Sequence, residues 1–159
     1  RDRPCPRDAS GSSRGERSTG IFFAIFNETF LPEVESAWQQ TLVWLRGIHQ
    51  LCLQNGIAIS LIPVPQPNQV STEEWKEGKQ LWGFDADHMI TSPHFQGRLK
   101  AFCEQERIPF INPLPQFREV SLQKQLFYPY DGHFNKEGHR VMAEHILDAL
   151  TTRHIFPQN

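Results

Sequence analysis

Asp131 and His133 stand two residues apart in Tyr130-Asp131-Gly132-His133-Phe134-Asn135, and the glycine between them lets the backbone turn sharply. Such a turn brings a carboxylate within reach of its neighbour's imidazole. A serine nucleophile needs a neutral imidazole to take its proton, and a carboxylate that fixes the tautomer and stabilises the imidazolium that forms. One short loop could supply both, with His133 as general base and then acid and Asp131 orienting it. Taken alone, an Asp-x-His pair is more often a turn aspartate beside a part-exposed histidine. What surrounds the pair therefore decides.

Other residue types with chemical potential carry less. His139 and His145 lie near the pair, but on a helix their spacing turns them more than half a turn apart and fits no zinc pattern. No metal is implied; His139 is expected to pack at a helix start and His145 to face solvent. Glu73 with Glu74, and Asp85 with Asp87, have the look of paired glycosidase carboxylates, yet they fall in weakly patterned sequence where a solvated surface is the plainer expectation. Trp75, Trp82, Phe84, Phe127, Tyr128 and Tyr130 could line a substrate groove, though aromatics beside a loop are more often packing anchors. Cys5, Cys52 and Cys103 cannot all pair internally and match no metal or redox spacing. Cys103 falls on an apolar helix face, where desolvation raises a thiol's pKa and disfavours it as a nucleophile.

The elements that must position the pair follow from periodicity. Ile21-Phe22-Phe23-Ala24-Ile25-Phe26 is a continuous apolar run of the kind buried on both faces of a sheet, ended by Asn27. From Pro32 to Asn55 apolar residues recur at three- and four-residue steps and Gly56 supplies a stop, which predicts a long amphipathic helix. A second strand is expected over Ile57–Pro63, after which the prolines of Val64-Pro65-Gln66-Pro67-Asn68 are expected to exclude both helix and a paired central strand, so that the chain leaves the sheet. Residues 69–91 read as a surface excursion pinned by aromatics. Ser92-Pro93 opens a helix running to Glu106, Ile108–Asn112 reads as a third strand, and Asn135 can cap a final helix with Val141, Met142, Ile146, Ala149 and Leu150 on its buried face. This alternation implies an α/β fold, a parallel sheet covered by helices, with chemistry in loops beyond the carboxyl ends of strands. Residues 1–20, nearly devoid of apolar side chains, are expected to be a disordered arm or loop remnant ahead of a single domain over residues 21–159.

The block Asp131-Gly132-His133-Phe134-Asn135-Lys136-Glu137-Gly138-His139, followed by an amphipathic helix, closely resembles the last sequence block of SGNH/GDSL hydrolases. The strand ending at Pro63, the helix with Phe102-Cys103, and Ile108-Pro109-Phe110-Ile111 before Pro113-Leu114 extend the likeness over roughly residues 21–150. The resemblance implies the C-terminal part of a flavodoxin-like three-layer domain with Asp131 and His133 as catalytic residues. It also implies a serine acyl-enzyme route for hydrolysing or transferring an acyl ester, on a small molecule or a carbohydrate, without a cofactor. Many members space the pair as Asp-x-x-His; Asp-x-His is similar to the branch with alginate-acetylating and related envelope proteins, which sets it apart from lipolytic members and leaves the compartment open, the cell envelope or periplasm among the choices. The family's nucleophile sits in a Gly-Asp-Ser block, and neither that nor Gly-x-Ser-x-Gly occurs here. The nucleophile is thus expected upstream of Arg1, and this chain alone is expected to be inactive. Asn27, within Phe26-Asn27-Glu28 rather than the family's Gly-x-Asn-Asp, is weak as an oxyanion donor. The rival from another class is a non-catalytic glycan-binding domain or an inactive fragment.

Composition narrows the partners. A net charge of −2, a pI near 6.4 and mixed-sign charges give no footprint for nucleic acid or anionic membrane. No apolar run approaches a bilayer-spanning length, so membrane association is expected only through sequence preceding Arg1.

Overall fold

The computed structural model describes residues 24–26, 29–85, 87 and 89–152. The arm expected over residues 1–20, the start of the first expected strand and Asn27 lie outside the described residues.

The long helix α1, Pro32–Gln54, begins with proline at its first turn, where a missing N–H costs nothing, and carries Glu33 and Glu35 where the helix dipole favours acids. It ends in a Schellman turn. Gly56 adopts φ +66, its N–H donates to Leu53 O at 3.2 Å, and the Ile57 N–H donates to Cys52 O at 2.9 Å. Two short helices follow, α2 (Pro67–Val70) and α3 (Lys76–Leu81). Then come α4 (His94–Glu106), α5 (Leu114–Ser121) and α6 (Lys136–Thr152). The start of α4 falls one residue later than expected, with Pro93 rather than Ser92 at the cap position, and the Ser92 hydroxyl accepts the His94 N–H at 3.3 Å.

Two apolar clusters organise these helices. In the first, Trp38 and Leu42 of α1 meet Leu99, Phe102 and Cys103 of α4, with Ile108 beyond. Phe26 and Trp38 pack edge-on against Phe95, with ring centroids 5.2 and 5.7 Å away. Arg98 makes a bidentate pair with Glu35 (2.5 and 2.8 Å) and lies over the Phe30 ring. The second cluster joins Val70, Leu114, Phe117, Leu126, Phe127 and Val141, and it supports the Asp131 loop.

The α/β expectation is overturned. Among the described residues there is no β-strand, and the flavodoxin-like parallel sheet is replaced by helices joined through extended connections. Ala24–Phe26 forms a turn of 3₁₀ helix instead of a strand. The segments around Leu61 and Phe110 do run parallel, but they share a single bridge, with Leu61 N–H donating to Pro109 O (2.9 Å) and Ile111 N–H to Leu61 O (3.0 Å). In this register the next rung up would need an N–H from Pro63, and the next rung down one from Pro109. Proline has none, so the ladder stops at both ends. Ile57 and Val64, 57% and 59% exposed, lack the cover that buried strands require.

Residues 69–91 also depart from the expected surface excursion. Gln69, Glu74, Trp75 and Lys79 are buried, and the end of α2 and all of α3 lie within this part of the chain. Pro67 sits in the first turn of α2, where proline is compatible with a helix.

Candidate functional site

The Asp131–His133 loop is the tip of a short hairpin. Phe127 and Phe134 form an antiparallel bridge, the Tyr128 N–H donates to His133 O (2.8 Å), and the Asn135 N–H donates to Leu126 O (3.0 Å). Phe127 is fully packed with Phe117 and Phe134, ring centroids 6.1 and 5.1 Å away, so it anchors the hairpin rather than lining a groove. Gly132 takes φ +72, a region costly for a residue with a side chain. A Cβ there would stand 3.5 Å from both Pro67 Cγ and Trp75 Cε2, so α2 and the Trp75 ring back the loop directly.

Asp131 faces His133 with both oxygens. Oδ1 accepts the His133 backbone N–H at 3.0 Å, and Oδ2 lies 3.4 Å from the imidazole Nδ1. The second contact is longer than an ordinary hydrogen bond. The two side chains are 58% and 82% exposed, so the ring is open to a reacting group from solvent. Among the described residues no serine hydroxyl is bonded to His133. Ser71 Oγ accepts the Glu74 N–H and Ser121 Oγ donates to Arg118 O, while Ser36 lies exposed on α1.

Downstream, Asn135 caps α6 as its residue type predicts. Its Oδ1 accepts the N–H groups of Glu137 (2.8 Å) and Gly138 (3.0 Å), and its Nδ2 donates to Gln125 O (2.8 Å). Gly138 lies where the helix crosses the hairpin base, for a Cβ on it would stand 2.2 Å from Leu126 O.

A second piece of chain grips the hairpin from outside. The Glu74 carboxylate is buried and accepts the backbone N–H of Leu126 (2.7 Å) on Oε1 and of Phe127 (3.1 Å) on Oε2. The Gly78 N–H donates to Pro129 O at 2.8 Å, and the Trp75 ring lies over Gly78 so closely that no larger residue fits there. Lys79 is fully buried, and its ammonium donates to Thr72 O (2.8 Å), tying the segment to itself. Burial pushes the Glu74 carboxyl up, against the pull of the two N–H donors and of Lys79, and burial pushes the Lys79 ammonium down. These contacts were not legible in Glu73-Glu74-Trp75, where nothing local tells which acid is buried.

The remaining candidates do not join the site. Glu73 is exposed and pairs with Lys76 at 3.1 Å, while its neighbour Glu74 is buried, so the two are not a catalytic pair. Asp85 and Asp87 are exposed. His139 is exposed, its ring edge-on to Phe134 at 5.6 Å, and His145 is half-buried beside α5 in a cleft with Gln116 and Val120 rather than in solvent. Among the described residues no cluster of three metal-ligand side chains occurs. Burial pushes the Cys103 thiol up to about 11, the direction its apolar helix face predicts. Trp82, Tyr128 and Tyr130 are exposed, whereas Trp75 is buried behind the loop.

Comparison with protein-family models, with curated proteins and with solved structures finds no match to this chain.

Proposed function

We propose that Asp131 and His133 are the acid–base half of a serine acyl-esterase or acyl-transferase site of the SGNH/GDSL kind. The observation that carries this reading is the Asp131 carboxylate, which accepts the backbone N–H of His133 and lies 3.4 Å from its imidazole Nδ1 at the tip of a braced hairpin. In this reading the imidazole carries its proton on Nδ1, toward the carboxylate, and Nε2 accepts one.

In this reading His133 Nε2 takes the proton of a serine hydroxyl supplied from outside these 159 residues as the serine oxygen bonds to an acyl carbonyl carbon. The tetrahedral adduct collapses, the ester C–O bond breaks, and His133 returns the proton to the departing alkoxide. A water or an acceptor hydroxyl then attacks the acyl-serine by the same proton exchange in reverse. Asp131 stabilises the imidazolium at each transfer. The substrate class is an acyl ester, with a carbohydrate carrier following from the family resemblance.

The test is p-nitrophenyl acetate hydrolysis by the protein carrying the sequence its reading frame places before Arg1, beside His133→Ala. Loss of roughly 10³-fold or more in kcat is expected. Full activity in His133→Ala, or no hydrolysis by either form, refutes the assignment.

A further inference from the structure

We propose that Glu74 is a positioning residue for Asp131 and His133, holding the turn at Leu126 from which their hairpin springs. The proposal rests on the reading of Asp131 and His133 as an acid–base pair, and its own test does not depend on turnover.

Successive N–H groups of an extended chain point to opposite sides. Those of Leu126 and Phe127 instead converge on one carboxylate, so the backbone bends there, and Glu74 supplies an acceptor to each arm of the bend. The Leu126 peptide is then fixed on both sides, its N–H by Glu74 and its C=O by the Asn135 N–H. Phe127 and Tyr128 follow at once into the hairpin, where Tyr128 bonds His133 O. Asp131 and His133 are mostly in solvent, so their relative placement comes from this backbone and not from packing around their own side chains. The Gly78 bond to Pro129 O and the Trp75 ring behind Gly132 come from the same short segment, which thus reaches the hairpin at its base, flank and tip.

Only a carboxylate satisfies this bend. An amide in its place would turn an NH₂ toward a backbone N–H, donor against donor, and strand at least one buried group. A carboxyl that burial pushes upward is an expensive group to keep where an apolar residue would pack, which accords with a specific task.

Amide hydrogen exchange followed by NMR, on this chain and on Glu74→Gln, tests the assignment. Exchange at Leu126, Phe127 and Tyr128 should quicken by about tenfold or more, while Leu42 in α1 and Phe102 in α4 stay unchanged. Asp131→Ala removes the acceptor of the His133 N–H, so it should quicken exchange at the His133 amide in the parent chain and should do so less in the Glu74→Gln background. A merely structural Glu74 predicts uniform acceleration in both clusters with the Asp131 effect intact, and that result overturns the proposal. Glu74→Asp keeps the charge but is one methylene short, so it should give the same pattern in weaker form; behaviour identical to the parent overturns the proposal even if Glu74→Gln does not fold. Loss of the Asp131 effect in Glu74→Gln together with full esterase activity in His133→Ala would leave the positioning role standing and remove the enzyme reading.

Discussion

Replacing Gly138 by alanine sets helix propensity against packing. Alanine is favoured over glycine inside a helix by about 0.5–1 kcal/mol, so propensity alone predicts a more stable protein. The added Cβ, however, would stand 2.2 Å from Leu126 O and 3.1 Å from Phe134 Cβ, so something must move by about 1 Å. The carbonyl cannot retreat freely, because the Leu126 N–H is held by Glu74 and the same oxygen accepts the Asn135 N–H. Overpacking of this kind costs about 1–3 kcal/mol, and straining a buried hydrogen bond adds a cost of similar size. After allowing for propensity, the net is a destabilisation of about 1–5 kcal/mol, or a fall in Tm on the order of 10 °C for a change near the middle of that range. Thermal and urea unfolding followed by circular dichroism should be run with Gly47→Ala as control, because a Cβ at Gly47 on α1 meets nothing within 4 Å. The control should gain about 0.5–1 kcal/mol. If Gly138→Ala is as stable as the parent while Gly47→Ala shows its gain, the tight crossing of α6 over the hairpin base is wrong.

Asn135→Ala removes the cap of α6 and the tie to Gln125 O, and should destabilise the chain by about 1–2 kcal/mol in urea unfolding; Asn135→Ser should recover part of this by keeping an acceptor at the cap. The Arg98 guanidinium and the Gln39 amide beside Glu35 hold its carboxyl down to about 2 from an ordinary value of 4.5. A group lowered on folding adds stability above its unfolded value and loses it as pH falls toward the folded one. Unfolding midpoints of the parent should therefore drop between pH 4.5 and 2 more steeply than those of Glu35→Gln, and parallel curves would count against the pair.

The helices were legible from apolar residues recurring at helical spacing, although Ile48 and Leu51 in that repeat on α1 are exposed. Trp38, Leu42 and Cys52 repeat at helical spacing on α1, Leu99 and Phe102 on α4, and Val141 and Ala149 on α6, with glycine, serine or asparagine marking their ends. The short apolar runs were not decidable in the same way. Ile57–Pro63 and Ile108–Asn112 have strand composition and do lie side by side, but only their register reveals that Pro63 and Pro109 fall where the neighbouring rungs need donors. Register is a property of two segments at once, and periodicity within either one does not contain it. The contact between Asp131 and His133 was legible because it is local. The grip of Glu74 on Leu126 and Phe127 spans more than fifty positions of sequence, and Glu73 beside it has the same side chain with an exposed, ordinary fate.

The arrested bridge between Leu61 and Phe110 also bears on how the chain behaves at high concentration. An extended apolar segment with an uncovered side is the template on which identical molecules stack edge to edge, each new copy prolonging the hydrogen-bonded row. In the register of the bridge Pro63 and Pro109 lie on the edge the two segments share, and together with Pro65 and Pro113 they bound each extended run to a few residues. A docking copy finds few consecutive rungs to join. The prolines that keep these segments from forming a sheet within the molecule therefore also limit the growth of one between molecules.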